Sequence, residues 1–291
     1  MKALPLSPVK LLQSSKFYLF TITVGLSALH LILTWRMIGD MDPLIIGVLF
    51  WGAILRLLWR KQDTLNLESD IFSSFFGTLI ISLVLAKSLS LFLFESSFAI
   101  VAPIITAVGL GLLASGFKGL KQYWRELIIV LLLSLPQSSH LPESSLFQII
   151  EDFFKVTTLT AQVAVFFLWY LGFEVTRQGA NVFLPSGSVL VAPYCTGINA
   201  AILLSKLSIL FILMFPLDWV KKILVLIGSV FIAFATGVIR VALLAIVVSN
   251  KESFAYWHGM EGNHIFATMS ILIFGLLCRF MLQPEEGVKS N

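Results

Sequence analysis

The sequence predicts an all-α integral membrane protein of about eight transmembrane helices, and three observations carry that prediction. Hydrophobic residues make up 58% of the 291 and charged residues 12%, with a mean hydropathy of +0.94. A soluble domain has roughly a quarter charged residues, so no soluble core of this size could hide the apolar surface. The charges are bunched, leaving apolar runs of roughly 17–25 residues, the length that crosses ~30 Å of hydrocarbon. Lys and Arg also collect in alternate segments between the runs, as they do in cytoplasmic loops.

The elements follow in order. Met1–Lys16 is basic, and the run after it, Phe17–Trp35, is too long for a signal h-region and is followed by no small-residue cleavage site. It reads as a retained span. Pro43–Trp59, Ile71–Phe94, Ser97–Phe117 and Leu120–Leu135 are the next spans. Leu146–Phe173 has a helical pattern, but its first half carries Glu151, Asp152, Lys155, Thr157 and Thr158. That polarity suits one amphipathic helix in the outer interface better than a lipid core. Glu174–Pro193 is rich in Val and Phe and broken by Gly179 and Pro185–Ser186–Gly187, which reads as a short extracytoplasmic extended hairpin. Cys195–Phe215, Val220–Val248 and Asn263–Leu282 complete the set. There is no fixed-period repeat, and Gly109–Leu110–Gly111 lies inside an apolar run, not in a nucleotide loop. Residues 1–291 form a single polytopic domain, with N-terminal spans over 1–135 and the site-bearing part over 136–291.

Basic residues orient it. Lys2, Lys10 and Lys16 precede the first span, Arg60 and Lys61 follow the second, and Lys118, Lys121 and Arg125 follow the fourth. Met37–Asp42, Glu95–Ser96 and Pro136–Ser145 hold no Lys or Arg, and Arg36 is the exception to the alternation. The positive-inside rule places the N-terminus in the cytoplasm and Pro136–Ser145 outside. With Leu146–Phe173 at the outer interface, the Lys221–Lys222 pair falls inside and both termini are cytoplasmic. The formal charge of +4 is then a property of membrane loops and implies no nucleic-acid partner. The lipid bilayer of the cell inner (plasma) membrane is the expected location.

Three reactive side chains converge on the outer face of that topology. Cys195 stands at the outer start of a span, where a helix N-terminus favours the thiolate. Thr196–Gly197 beside it offers backbone N–H groups to a substrate carbonyl, an oxyanion-hole arrangement. Arg240 lies inside an apolar run, eight residues before Val248, about 12 Å from its end at about 1.5 Å per residue. An intramembrane Arg costs roughly 2.5–3.5 kcal/mol on insertion scales and needs a buried partner or a wet cavity. His258 lies in the outer loop Ser249–Gly262. Each also has a plainer reading: a packed cysteine, a snorkelling arginine, a solvated loop histidine. Cys195 and Cys278 fall at opposite membrane faces, out of disulfide reach. Lys206, midway down its span, is either a structural lysine or a substrate or acceptor contact. His258 and His264 lack further ligands and no His-Glu-x-x-His pattern exists, so neither metal nor cofactor is expected.

At these residues a resemblance enters. Pro193–Tyr194–Cys195–Thr196–Gly197–Ile198 resembles the Cys-Ser/Thr-Gly motif of the exosortase/archaeosortase family. Ala235–Thr236–Gly237–Val238–Ile239–Arg240–Val241 resembles its Arg motif, and His258–Gly259–Met260–Glu261–Gly262 its His-x-x-x-Gly motif. Arg177–Gln178–Gly179 and Phe183–Leu184–Pro185 are similar as well. The likeness covers about Pro136 to Leu282, and the earlier spans match in hydropathy alone. The family usually has Asn three residues before the Arg, where this chain has Gly237, so an orienting amide is missing. Thr196 in the cysteine motif is similar to cyanobacterial members of the bacterial Pro-Glu-Pro branch.

The resemblance implies a thiol protease or transpeptidase. Cys195 would attack the scissile carbonyl, His258 would act as general base and acid, and Arg240 would stabilise the oxyanion or hold substrate. Thr196, Gly197, Asn199 and Gly262 would contact substrate. The implied partners are exported proteins ending in a Pro-Glu-Pro-type motif, a hydrophobic span and basic residues, with a dedicated accessory protein as a further partner. The rival classes are a transporter, against which stands the absence of an inverted repeat, and a non-catalytic factor for surface polysaccharide assembly.

Overall fold

The computed structural model describes residues 15–39, 41–90, 97–135 and 145–283. Its helices are α1 (Ser15–Ile38), α2 (Met41–Lys61), α3 (Ile71–Ser90), α4 (Ser97–Gly119), α5 (Trp124–Ser134), α6 (Ser145–Phe154), α7 (Val156–Tyr170), α8 (Ile198–Met214), α9 (Trp219–Val247), α10 (Lys251–His258) and α11 (Met260–Leu282). Short 3₁₀ turns at Leu120–Tyr123 and Pro193–Cys195 precede α5 and α8. Most of the expected 136–145 loop lies outside the described residues.

Six helical segments among the described residues are long and apolar enough to cross a membrane, or up to seven if the bent pair α6–α7 is one span. Their outward faces are apolar: Ile71, Phe72, Trp219, Phe231 and Phe280 are all exposed. Contiguous apolar surface on this scale needs a cover, and lipid supplies it. The chain is therefore a multi-pass, essentially all-α membrane protein.

Two compact units divide the chain, Met1–Pro136 and Gln137–Asn291, where the sequence reading has one domain subdivided at 135/136. In the first, α2 and α5 bury Phe50, Ile54, Ile129 and Val130. Val101–Ser134 counts as one apolar stretch, but Gly116 breaks it with a left-handed φ of 68°. Helix α5 then packs beside α4 and α2, with Tyr123 Oη 2.8 Å from Ser115 Oγ. Lys61 Nζ reaches Glu126 Oε2 at 2.7 Å and donates to the Gln122 carbonyl at 2.6 Å. The Gln122 side chain in turn bonds the Asn66 backbone. The two basic loops, after α2 and after α4, thus meet at one end of this unit, as the charge alternation predicts.

The second unit carries the site. The reading of Leu146–Phe173 as one interfacial helix needs correction: it is two helices, bent by 52°. Lys155 between them takes a left-handed φ of 46°. The Glu151 carboxylate stabilises the break by accepting the Thr157 N–H at 3.1 Å and its hydroxyl. Helix α7 then stands against α9, with Thr160, Ala161, Ala164 and Leu168 buried. The expected hairpin is a three-stranded antiparallel meander, β1 (Thr176–Gln178), β2 (Asn181–Leu184) and β3 (Gly187–Leu190). Val182 and Val189 face inward onto the α7–α9 cluster. Gly187, at the β2–β3 turn, packs on Val248 at the end of α9.

Helix α9, with 29 residues about 43 Å long, is the axis of the unit; α7, α8 and α11 all pack on it. Cys278 lies in a cluster with Leu204, Val225 and Phe274. Cys195 lies in another with Val238 and Val241. The first cluster meets α9 between Val225 and Ala233 and the second from Val238 onward, so the thiols lie at different levels along it, and both are free.

Candidate active site

Cys195 is positioned by two close backbone contacts. The chain leaves β3 in extended form, turns at Pro193–Cys195, and reaches α8 through Gly197. The span expected from Cys195 begins as helix at Ile198, because Gly197 adopts a left-handed φ of 77°. A Cβ on Gly197 would sit 2.3 Å from the Ala233 carbonyl oxygen, so glycine is required there for conformation and space alike. Gly237 faces it from α9: a Cβ there would come within 2.7 Å of the Thr196 carbonyl and 2.8 Å of Gly197 N. A side chain at 237 would meet the Thr196–Gly197 main chain at these distances unless the turn moved.

The same turn corrects the expected backbone oxyanion hole. The Cys195 N–H donates to the Ala192 carbonyl at 2.9 Å, and Thr196 N–H to that of Pro193 at 3.2 Å. The Thr196 hydroxyl also donates to Pro193 O, at 2.7 Å. These donors are consumed by the turn, Thr196 is fully buried, and Gly197 N is shielded by Gly237. The thiol stands two residues upstream of the helix N-cap and is itself buried.

Arg240, one turn beyond Gly237 on α9, is 8% exposed and is held by two acceptors. Its Nη1 donates to Asn263 Oδ1 at 3.0 Å and its Nη2 to the His258 carbonyl at 3.0 Å. Cys195 shares its buried cluster with Val238 and Val241, which flank Arg240 along α9. Arg240 Nε is buried and has no hydrogen-bond partner. Asn199, in the first turn of α8, likewise buries an unpartnered Oδ1.

His258 ends α10, where its exposed ring stacks on Phe254 with centroids 5.4 Å apart. Among the described residues no hydrogen bond joins the imidazole to Cys195. Arg240 holds the His258 backbone, and Phe254 and Trp257 pack against the cluster containing Cys195. Gly262 is buried, and a Cβ there would lie 2.2 Å from the Trp257 carbonyl oxygen. It lets the start of α11 lie close against the end of α10, which carries His258. Lys206 is buried on α8. An open cleft of about 600 Å³ beside the sheet, lined by Trp169, Phe173, Glu174, Phe183 and Pro185 among others, contains none of the expected site residues.

The structure thus brings Cys195 and Arg240 together and ties Arg240 to the backbone of His258. Asn263 is the site residue that sequence reasoning missed, having been read as the first residue of a span. The signal was present: an intramembrane Arg demands a partner, and Asn263 is a polar amide five residues beyond His258.

The fold and site define a multi-pass membrane protein with a buried free thiol beside a pinned arginine. A family model described as transmembrane exosortase matches residues 35–275, and the chain belongs to the exosortase family. The match takes in the N-terminal helices from α2 onward, beyond the part covered by the motifs. No curated protein and no solved structure matches the chain.

Proposed function

We propose that this exosortase is a membrane-embedded cysteine protease and transpeptidase that removes the C-terminal sorting tail, of the Pro-Glu-Pro type, from exported proteins. The observation that carries the reading is the pairing of buried Cys195 with Arg240, whose Nε–H remains unpartnered. His258 takes the proton of the Cys195 thiol, the thiolate attacks the scissile carbonyl, and Arg240 stabilises the oxygen as it gains charge. The C–N bond then breaks, His258 gives its proton to the leaving amine, and a thioester remains on Cys195. An acceptor amine or water, deprotonated by His258, attacks the thioester and releases the thiol. Ring rotation of the exposed His258 brings it to the reacting atoms, since catalytic hydrogen bonds often tighten only in the substrate complex.

The site faces outward in this reading. Lys221 and Lys222, at the start of α9, stay cytoplasmic, while Cys195, Arg240 and His258 lie toward the external face of the inner membrane. Eight crossings with both termini inside, and α6–α7 held at the outer side by its polar first half, complete the topology. Asn199 contacts the substrate through its unpartnered oxygen.

The test is the C-terminal sequence of exported proteins with such tails, from cells carrying wild-type protein, Cys195→Ala or no protein. Tails should be removed only with the wild type. Removal by an expressed, inserted Cys195→Ala variant would refute the thiol mechanism.

A further inference from the structure

The guanidinium of Arg240 has three kinds of N–H donor, and the fold disposes of them unequally. Asn263 Oδ1, on the first turn of α11, takes Nη1, and the carbonyl that ends α10 takes Nη2, each at 3.0 Å. Nε is left buried and unpartnered. Two acceptors on two terminal nitrogens fix both the position and the plane of the group, because guanidinium donors form a rigid fork. The His258 carbonyl is a backbone atom and cannot be exchanged by mutation. Asn263 is the side chain that holds the plane.

The structure assigns Asn263 as the positioning residue of Arg240, occupying Nη1 so that the unpartnered Nε–H is the donor presented to the substrate carbonyl. The assignment rests on the proposed thiol chemistry and deepens it. Asn263 touches no reacting atom; it acts through Arg240. A hydrogen bond from a charged donor contributes more than a neutral one. Losing it lets the guanidinium swing toward the vacated acceptor position, withdrawing Nε–H and changing its charge's distance from Cys195.

Three variants in full-length protein separate this role from a merely structural one. Asn263→Ala removes the acceptor and should lower kcat for tail removal by about 10–100-fold, with KM nearly unchanged. Asn263→Asp keeps an acceptor oxygen at the same place, on an exposed residue, and should restore most of the rate. The second readout needs no substrate: the pH profile of Cys195 alkylation by iodoacetamide in detergent, in a Cys278→Ala background. Asn263→Ala should move that profile in the same direction as Arg240→Ala does. A wild-type profile in Asn263→Ala, or an Asp variant as impaired as Ala in tail removal, overturns the assignment. Tail removal by Cys195→Ala would sink the protease reading instead, while the alkylation comparison would still report whether Asn263 holds Arg240.

Discussion

Gly197 and Gly237 meet backbone to backbone, where α8 begins against the middle of α9. A Cβ on Gly237 would lie 2.8 Å from Gly197 N, and one on Gly197 would lie 3.3 Å from Gly237 Cα. The depth of Cys195 relative to Arg240 follows from this contact, since the thiol is two residues before one glycine and the guanidinium three residues after the other.

Gly237→Ala should therefore both destabilise and misplace the site. Inserting a methyl against main-chain atoms costs about 1–3 kcal/mol when the surroundings cannot yield. A thermal unfolding midpoint in detergent below that of wild type, together with loss of tail removal, is the expected outcome. Unchanged stability and rate would show that the turn adapts and that the glycine contact is incidental.

Arg240→Lys should retain little activity. Lysine keeps the charge but has no planar fork with which to satisfy Asn263 and the His258 carbonyl and still present a third donor. Full tail removal by Arg240→Lys would reduce the residue to a generic counter-charge.

His258→Ala should lower the rate by ~10²–10⁴-fold, the usual contribution of a general acid–base group. The protein should still insert, because the ring is exposed and Arg240 bonds the backbone carbonyl, which alanine retains. Phe254→Ala, which removes the ring that His258 stacks on, should have a smaller effect on rate. Turnover in His258→Ala equal to wild type would assign the proton transfers to another group.

The topology is open to cysteine labelling with a membrane-impermeant reagent, in a background lacking Cys195 and Cys278. Gln178→Cys, exposed on β1, should label in intact spheroplasts, and Asp218→Cys, exposed ahead of α9, only after permeabilisation. The reverse pattern would invert the site. Gln148→Cys, exposed on α6, should label from outside if α6–α7 stays at the outer face. Labelling only from within would make 145–170 a full crossing and end the eight-span count.

Glu151→Ala should weaken the α6–α7 break by about 1 kcal/mol, the usual effect of losing a side chain that satisfies a helix's first N–H groups. Proteolysis near Lys155, compared with wild type in the same detergent, reads that loosening. Equal cleavage rates would show that the packing of α7 on α9 holds the bend without the carboxylate.

Membrane residence, the approximate span boundaries and the order of the three motifs were legible in the chain, because hydropathy, charge alternation and motif spacing are local properties. The first span, Phe17–Trp35, and the last, Asn263–Leu282, match α1 and α11 to within a few residues for that reason. Tertiary structure decided the rest. The break at Lys155 depends on a carboxylate four residues away meeting Thr157, which periodicity does not register. Gly237 looked like a lost amide and proved to be the space into which Thr196–Gly197 packs. The acceptor for Arg240 came from Asn263, on another helix and 23 positions on. Such partners are set by which helix faces touch, and a linear pattern specifies that a buried charge must be satisfied without specifying by whom.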